Sequence, residues 1–198
     1  MHLKSIIVPN KEEPHGLWAI QHTGETSSDF SKLLGQNGQW FDQRYLREFF
    51  TNNEKDLSNY QWPKKYPDGI IVPVAAFDTV QYAMELNRTL RDVAERSGRG
   101  ETPDFDQFFN NYDNSQLGLR ELNLSKKQHP IKDGWLRLYA VAICSTCYVI
   151  TGGAIKLVKG MDRPHLRQED QKMKKVQAWL KDCDVVDWDS FKDFLNNG

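Results

Sequence analysis

The period of apolar and polar positions changes along the chain, and each change predicts a different kind of element. Ser5-Ile-Ile-Val8 and Leu17-Trp-Ala-Ile-Gln21 are short apolar runs flanked by Pro9, Pro14, Gly16 and Gly24, a pattern of two strands able to pair as a hairpin. Asp29 to Leu34 predicts a short helix, broken by Gly35-Gln-Asn-Gly38. From Trp40 to Asn53, Phe41, Tyr45, Phe49 and Phe50 return at helical spacing. Pro63, Pro67 and Gly69 predict a loop over 58–72. Pro73 suits the first turn of the helix that follows, with Phe77, Val80, Met84, Leu90 and Val93 as its apolar stripe and Gly98 and Gly100 as its stop. Residues 98–106 read as a linker or exposed loop, followed by an aromatic cluster of Phe105, Phe108 and Phe109.

Beyond residue 117 the period shortens to two. Leu119 to Leu124 alternates, and Trp135 to Ile143 is a long β-type run. Cys147–Thr151 and Ala154–Val158 follow as two further strands, with tight connections expected at Ser145-Thr146 and Gly152-Gly153. These strands predict an antiparallel meander. A helix then runs from Asp162 to Lys181 on a stripe of Leu166, Met173, Val176 and Leu180, its acids early and its lysines late, as the helix dipole favours. A last helix over Ser190–Leu195 packs back through Trp179 and Trp188. The expected architecture is α+β in a single domain, 1–198. A largely helical part, 1–116, packs with a C-terminal antiparallel sheet and closing helices, 117–198.

The composition, 39% hydrophobic and 27% charged over 198 residues, is that of a globular protein and excludes collagen, coiled-coil rods and small disulfide scaffolds. No apolar run approaches the roughly 18 residues of a membrane span, so no membrane partner is expected. The N-terminal apolar stretch is too short for a signal peptide, and three cysteines do not form a disulfide framework. Both point to a reducing cytoplasm. The net charge of -1 conceals a partition: -5 over residues 1–117, +8 over 118–181 and -4 over 182–198.

The basic block places cations on strands. Alternation puts Trp135, Arg137, Tyr139, Val141 and Ile143 on one face of the long strand, and Ala154, Lys156 and Val158 on one face of the last. A charged residue in an apolar strand must reach water, an acid or a polyanion. Arg137 and Lys156 are therefore expected to project from one face, with Lys159 at the strand end and Lys126, Lys127, Lys132, Arg163 and Arg167 around them. Such a face suits a phosphate backbone; an ordinary solvated face of a half-exposed sheet is the competing reading. Cys144-Ser-Thr-Cys147 lies between strands and lacks a second ligand pair at zinc spacing, so it reads as a hairpin turn without metal. Thr151-Gly-Gly-Ala-Ile-Lys156 lacks the Walker spacing and the following helix. His165, just after Pro164, reads either as an exposed residue at a helix start or as a group that can reach the sheet and move a proton. No hydrolase or metalloprotease motif is present, and no cofactor or metal is called for.

The block from Leu117 to Lys181 resembles the RelE/HigB-type toxins of bacterial toxin–antitoxin pairs, in particular phage-related, HigB-like members. The resemblance rests on Arg120-Glu-Leu122, on Leu136-Arg-Leu-Tyr139, on the strand from Tyr148 through Ile155 to Lys156 and Lys159, and on a helix opening after a proline. It implies a RelE-like fold, in which an N-terminal strand and helices precede an antiparallel sheet and a final helix. It also implies metal-free cleavage of mRNA, with RNA or the ribosome as target and a cognate antitoxin protein as partner. In that chemistry a ribose 2′-hydroxyl attacks the adjacent phosphate. Arg137 would clamp the phosphate and Tyr139 orient or stack a base. Lys156 or Lys159 would serve as base and His165 as acid, while Arg120 joins the RNA-binding set. A non-catalytic protein gripping nucleic acid or an acidic partner with the same basic face remains the alternative.

Overall fold

The computed structural model describes residues 1–8, 15–59, 66, 69–97, 105, 108–111, 117–122 and 134–197, with the backbone alone at 94–97, 110–111 and 122. The strands are β1 (His2–Ile7), β2 (Gly16–Gln21), β3 (Phe109–Asn111), β4 (Leu119–Leu122), β5 (Leu136–Cys144) and β6 (Cys147–Ile155). The helices are α1 (Asp29–Leu34), α2 (Gln43–Asn52), α3 (Glu54–Asn59), α4 (Val72–Ser97), α5 (Pro164–Asp182) and α6 (Trp188–Asn197), with a short 3-10 turn at Gln39–Phe41. The strands form one sheet in the order β1-β2-β6-β5-β4-β3. The architecture is α+β, with N-terminal strands and helices, a mixed sheet and C-terminal helices.

The sheet departs from a pure meander at one junction. From β3 to β6 the neighbours are antiparallel, and β1 pairs antiparallel with β2, but β2 runs parallel to β6, with Gly16 opposite Cys147 and Ala19 opposite Ile150. Parallel neighbours need a long crossover, and the chain between β2 and β6 supplies one that includes α1 to α4. These helices cover one face around Phe30, Leu34, Trp40, Phe50, Leu86 and Leu138. The other face is covered by α5 and α6 around Tyr139, Val141, Leu166, Met173 and Phe191. The expectation of a half-exposed sheet is therefore corrected: β5 is buried on both sides along nearly its whole length. Its continuous apolar run, not its alternation, carried that information.

Three local expectations also change. Gly152-Gly153 is not a turn: β6 is one strand from Cys147 to Ile155, with Thr151 as the extra residue of a bulge, since Tyr139 faces Gly152 while Ala140 faces Ile150. On α4 the expected stripe is displaced. Phe77 and Met84 are exposed, whereas Ala75, Ala76, Thr79, Tyr82, Ala83, Leu86, Leu90 and Val93 are buried. Small residues let this helix approach closely, and Thr79 Oγ1 accepts a 2.8 Å hydrogen bond from Trp135 Nε1. That contact draws Trp135, just before β5, to the α4 side and away from Arg137. The short helix α3 and the strand β3 were not anticipated. Of the loop predicted over 58–72, residues 60–65, 67 and 68 lie outside the described residues, as do 98–104 and 106 of the linker predicted over 98–106.

Candidate basic site

The basic side chains singled out in the sequence divide into two groups. The first spans three strands on the α5 face. Glu121 on β4 and Arg137 on β5 lie on this face, and Lys156 follows the end of β6. Lys156 Nζ donates to Glu121 Oε2 at 2.7 Å, and Arg137 Nε lies 3.4 Å from Glu121 Oε1. Arg137 Nη1 also donates to the carbonyls of Gly134 at 2.7 Å and Leu136 at 2.8 Å. Arg137 and Lys156 are only 8% and 9% exposed. Two cations thus share one carboxylate where water is scarce, and Arg137 Nε has no hydrogen-bond partner of its own. Glu121 is the residue that sequence reasoning missed, although its place in the alternating Arg120-Glu-Leu122 run put it on the Arg137 face.

The second group lies just beyond Lys156, past the same end of β6, where α3 meets the start of α5. Lys55, Asp56, Asn59, Leu157, Val158, Lys159 and Arg163 line a cleft of about 520 Å³. Arg163 grips Asp56 with two hydrogen bonds, Nε to Oδ2 at 2.6 Å and Nη2 to Oδ1 at 2.7 Å. This fork holds the Asp56 carboxyl below its ordinary range and raises the guanidinium. His165 stands beside it. Its Nε2 is 3.0 Å from the carbonyl of Ile155. A carbonyl only accepts, so Nε2 carries the proton and Nδ1 is the lone-pair nitrogen of the neutral ring. The ring packs edge-on to Phe49 at 5.3 Å, and burial pushes its pKa down.

Other members of the predicted set are placed differently. Tyr139 is fully buried, its hydroxyl 3.6 Å from the Met161 sulfur, so it presents no face on which a base could stack. Burial on both faces of β5 removes it from the candidate RNA-contacting residues. Arg120 donates to the carbonyl of Leu119 at 3.1 Å, and its Nε is buried without a partner. Arg167 is exposed and donates twice to the carbonyl of Asp162, at 3.0 and 2.6 Å. Lys126, Lys127 and Lys132 lie outside the described residues. None of the contacts of His165 involves Glu121, Arg137 or Lys156, so the proposed acid and the phosphate clamp belong to different groups.

One cluster has donor types suited to a metal. His22, Glu25 and Asp29 bring one ligand atom each within 4.8 Å of one another. Lys32 bonds to Glu25 and lies 3.1 Å from Asp29 Oδ1. Its ammonium already supplies the positive charge that these two carboxylates need, and its hydrogen bond holds the Glu25 pKa down. The cluster is an ion-pair network. Among the described residues, no helix is long and apolar enough to cross a membrane. The chain matches no protein-family model, no curated protein and no solved structure.

Proposed function

We propose that the chain is a RelE/HigB-like RNA endonuclease, the toxin of a toxin–antitoxin pair, cleaving without a metal. The observation that carries this reading is the convergence of Arg137 and Lys156 on a single carboxylate. A group with two negatively charged oxygens already sits between a guanidinium and an ammonium, and a phosphodiester presents the same pair of oxygens. The order of elements supports it. Two N-terminal strands and helices precede four antiparallel strands and two closing helices, the general order of strands and helices that the sequence resemblance implies.

In this reading RNA displaces Glu121 from the two cations. The 2′-hydroxyl attacks the neighbouring phosphorus and the bond to the 5′-oxygen breaks. The departing 5′-oxygen takes a proton from water, and the fragments end in a 2′,3′-cyclic phosphate and a 5′-hydroxyl. Arg137 and Lys156 stabilise the charge gathering on the phosphoryl oxygens, and the freed Glu121 carboxylate takes the 2′ proton. Lys159 and Arg163 hold the strand further along its backbone. Tyr139 has no part. The alternative is a non-catalytic protein that grips nucleic acid or an acidic partner. It is favoured by the absence of any contact between His165 and the Arg137 group.

Glu121→Gln tests the shared site, and cleavage separates the two readings. Removing the shared charge leaves two poorly neutralised cations, so the variant should lose about 2 kcal/mol of stability in urea melts. It should bind labelled single-stranded RNA several-fold more tightly in filter binding, because its competitor is gone. In excess chelator the wild type should release cyclic-phosphate ends, and Lys156→Met should lower that rate at least tenfold. RNA binding without cleavage would establish the alternative. No binding by either protein at low salt would defeat both.

A further inference from the structure

The turn between β5 and β6 holds a second chemistry. Cys144 and Cys147 are the closing pair of a two-residue loop and face each other in register. A β-turn keeps its end Cα atoms within about 7 Å, and a disulfide accepts roughly 4.4–6.8 Å. Paired positions in a ladder also project to the same side of the sheet, and both cysteines pack with the α5 face. The two thiols are not alike. Cys144 is half-buried and open to reagents, whereas Cys147 is fully buried and burial pushes its thiol well up.

Cys144 also has a proton path. Its sulfur is 3.1 Å from Thr146 Oγ1, and Thr146 Oγ1 is 2.7 Å from His15 Nδ1. His15 Nδ1 is itself 4.0 Å from the sulfur, and the imidazole stacks on Trp188 with ring centroids 3.9 Å apart. The same loop receives hydrogen bonds from Gly16 N at the start of β2 and from Phe105 N, at 2.9 and 3.3 Å. The thiol pair therefore sits where β2, the Phe105 segment and α6 meet.

We propose that Cys144 and Cys147 form a thiol–disulfide switch, with Cys144 as the attacking sulfur, Cys147 as the resolving sulfur, and Thr146 and His15 as positioning residues. The oxidant is a small-molecule disulfide such as oxidised glutathione. Cys144 gives its proton through the Thr146 hydroxyl to His15 and attacks one glutathione sulfur. The glutathione S–S bond breaks, and the first thiolate leaves and takes up that proton. Cys147 then attacks the Cys144 sulfur of the mixed disulfide. The second glutathione leaves as thiolate and takes the Cys147 proton. One disulfide is reduced to two thiols while two protein thiols become one disulfide. No helix follows the pair, so the attacking thiol is assisted by His15, not by a helix N-terminus of the kind found in C-x-x-C oxidoreductases.

The test treats the full chain with oxidised glutathione and maps its thiols by alkylation and peptide mass spectrometry. The expected product is a Cys144–Cys147 disulfide with Cys183 still alkylated. In Cys147→Ser, the glutathione adduct should instead accumulate on Cys144. Thr146→Val should slow capture of Cys144 about tenfold, the effect of losing one hydrogen bond to the developing thiolate. A stable Cys144 adduct in the wild type, or a disulfide engaging Cys183, would overturn the switch without the need for any variant. An unchanged capture rate in Thr146→Val would remove the relay.

Discussion

Glu121 and Glu169 are both carboxylates beside the sheet, in different surroundings. Glu121 meets two cations, and its charge is what allows Arg137 and Lys156 to be buried. Glu169, on α5, is 7% exposed and leans over Gly152, with one oxygen 2.6 Å from Lys172 Nζ and the other without a hydrogen-bond partner. Burial raises its pKa, and Asp29 on α1 adds to the rise, while Lys172 and the Gly153 N–H oppose it. The same negative charge, together with burial, raises the phenol of Tyr45 on α2. Because the folded chain holds the Glu169 proton to higher pH than the unfolded chain, this group lowers stability as pH rises through that interval. Glu169→Gln should accordingly stabilise the protein at pH 7, by about 0.5–1 kcal/mol, and lose that advantage at about pH 3, below the ordinary carboxyl range, where the wild-type carboxyl is neutral in both states. Urea melts at the two pH values measure it, and equal differences would show that the Lys172 pair, not burial, sets the energy.

The same strand explains what the sequence disclosed and what it concealed. Asp29–Leu34, the long run of β5 and the stripe of α5 were legible because local period and burial agree there. Gly152 and Gly153 were not, because two glycines read locally as a turn. Their actual role is to admit neighbours. A Cβ on Gly153 would lie 2.7 Å from the Arg137 carbonyl oxygen and 2.9 Å from both Leu33 and Trp40. On the opposite face, a Cβ on Gly152 would lie 1.9 Å from Glu169 Oε2. The contacts with Leu33 and Trp40 reach over a hundred positions back along the chain, which no window of sequence contains. Gly153→Ala should cost about 1–3 kcal/mol, the usual penalty for overpacking, read as a fall in denaturation midpoint with unchanged slope. A neutral result would mean that α1 and the 3-10 turn can move aside. The candidate site was legible to the same degree. Strand alternation put Arg137 and Lys156 on one face, but neither the buried fate of Tyr139 nor the acid between the cations follows from a period of two.

At the scale of the molecule the charge partition acquires a structural meaning. An acidic segment over 182–198 would be able to mask the basic block if it hung free as a tail, but residues 182–197 form a packed cap. Val185 and Phe191 are fully buried, Phe191 meets Trp18 edge-on at 5.9 Å, and Trp179 meets Phe194 at 5.8 Å. Its deletion would uncover the core beneath α5, so it is no test of masking. The cations open to a long polyanion are Lys55 and Lys159 of the cleft between α3 and α5, because Arg137 and Lys156 must first release Glu121 and Arg163 must release Asp56. RNA binding should therefore respond more to the cleft than to the buried pair. For single strands the log–log salt slope is about -0.7 per phosphate contact. Replacing Lys55 and Lys159 together with Met should remove roughly two contacts and flatten the slope by about 1.4. Stability should change little, since exposed lysine ends add little to it. Lys156→Met alone should flatten the slope by no more than about 0.7 while lowering cleavage sharply. Titrations of labelled RNA at several salt concentrations distinguish these responses. If Lys156→Met flattens the slope and the double variant does not, the strand runs over the Glu121 group alone and the cleft at α3 takes no part in holding it.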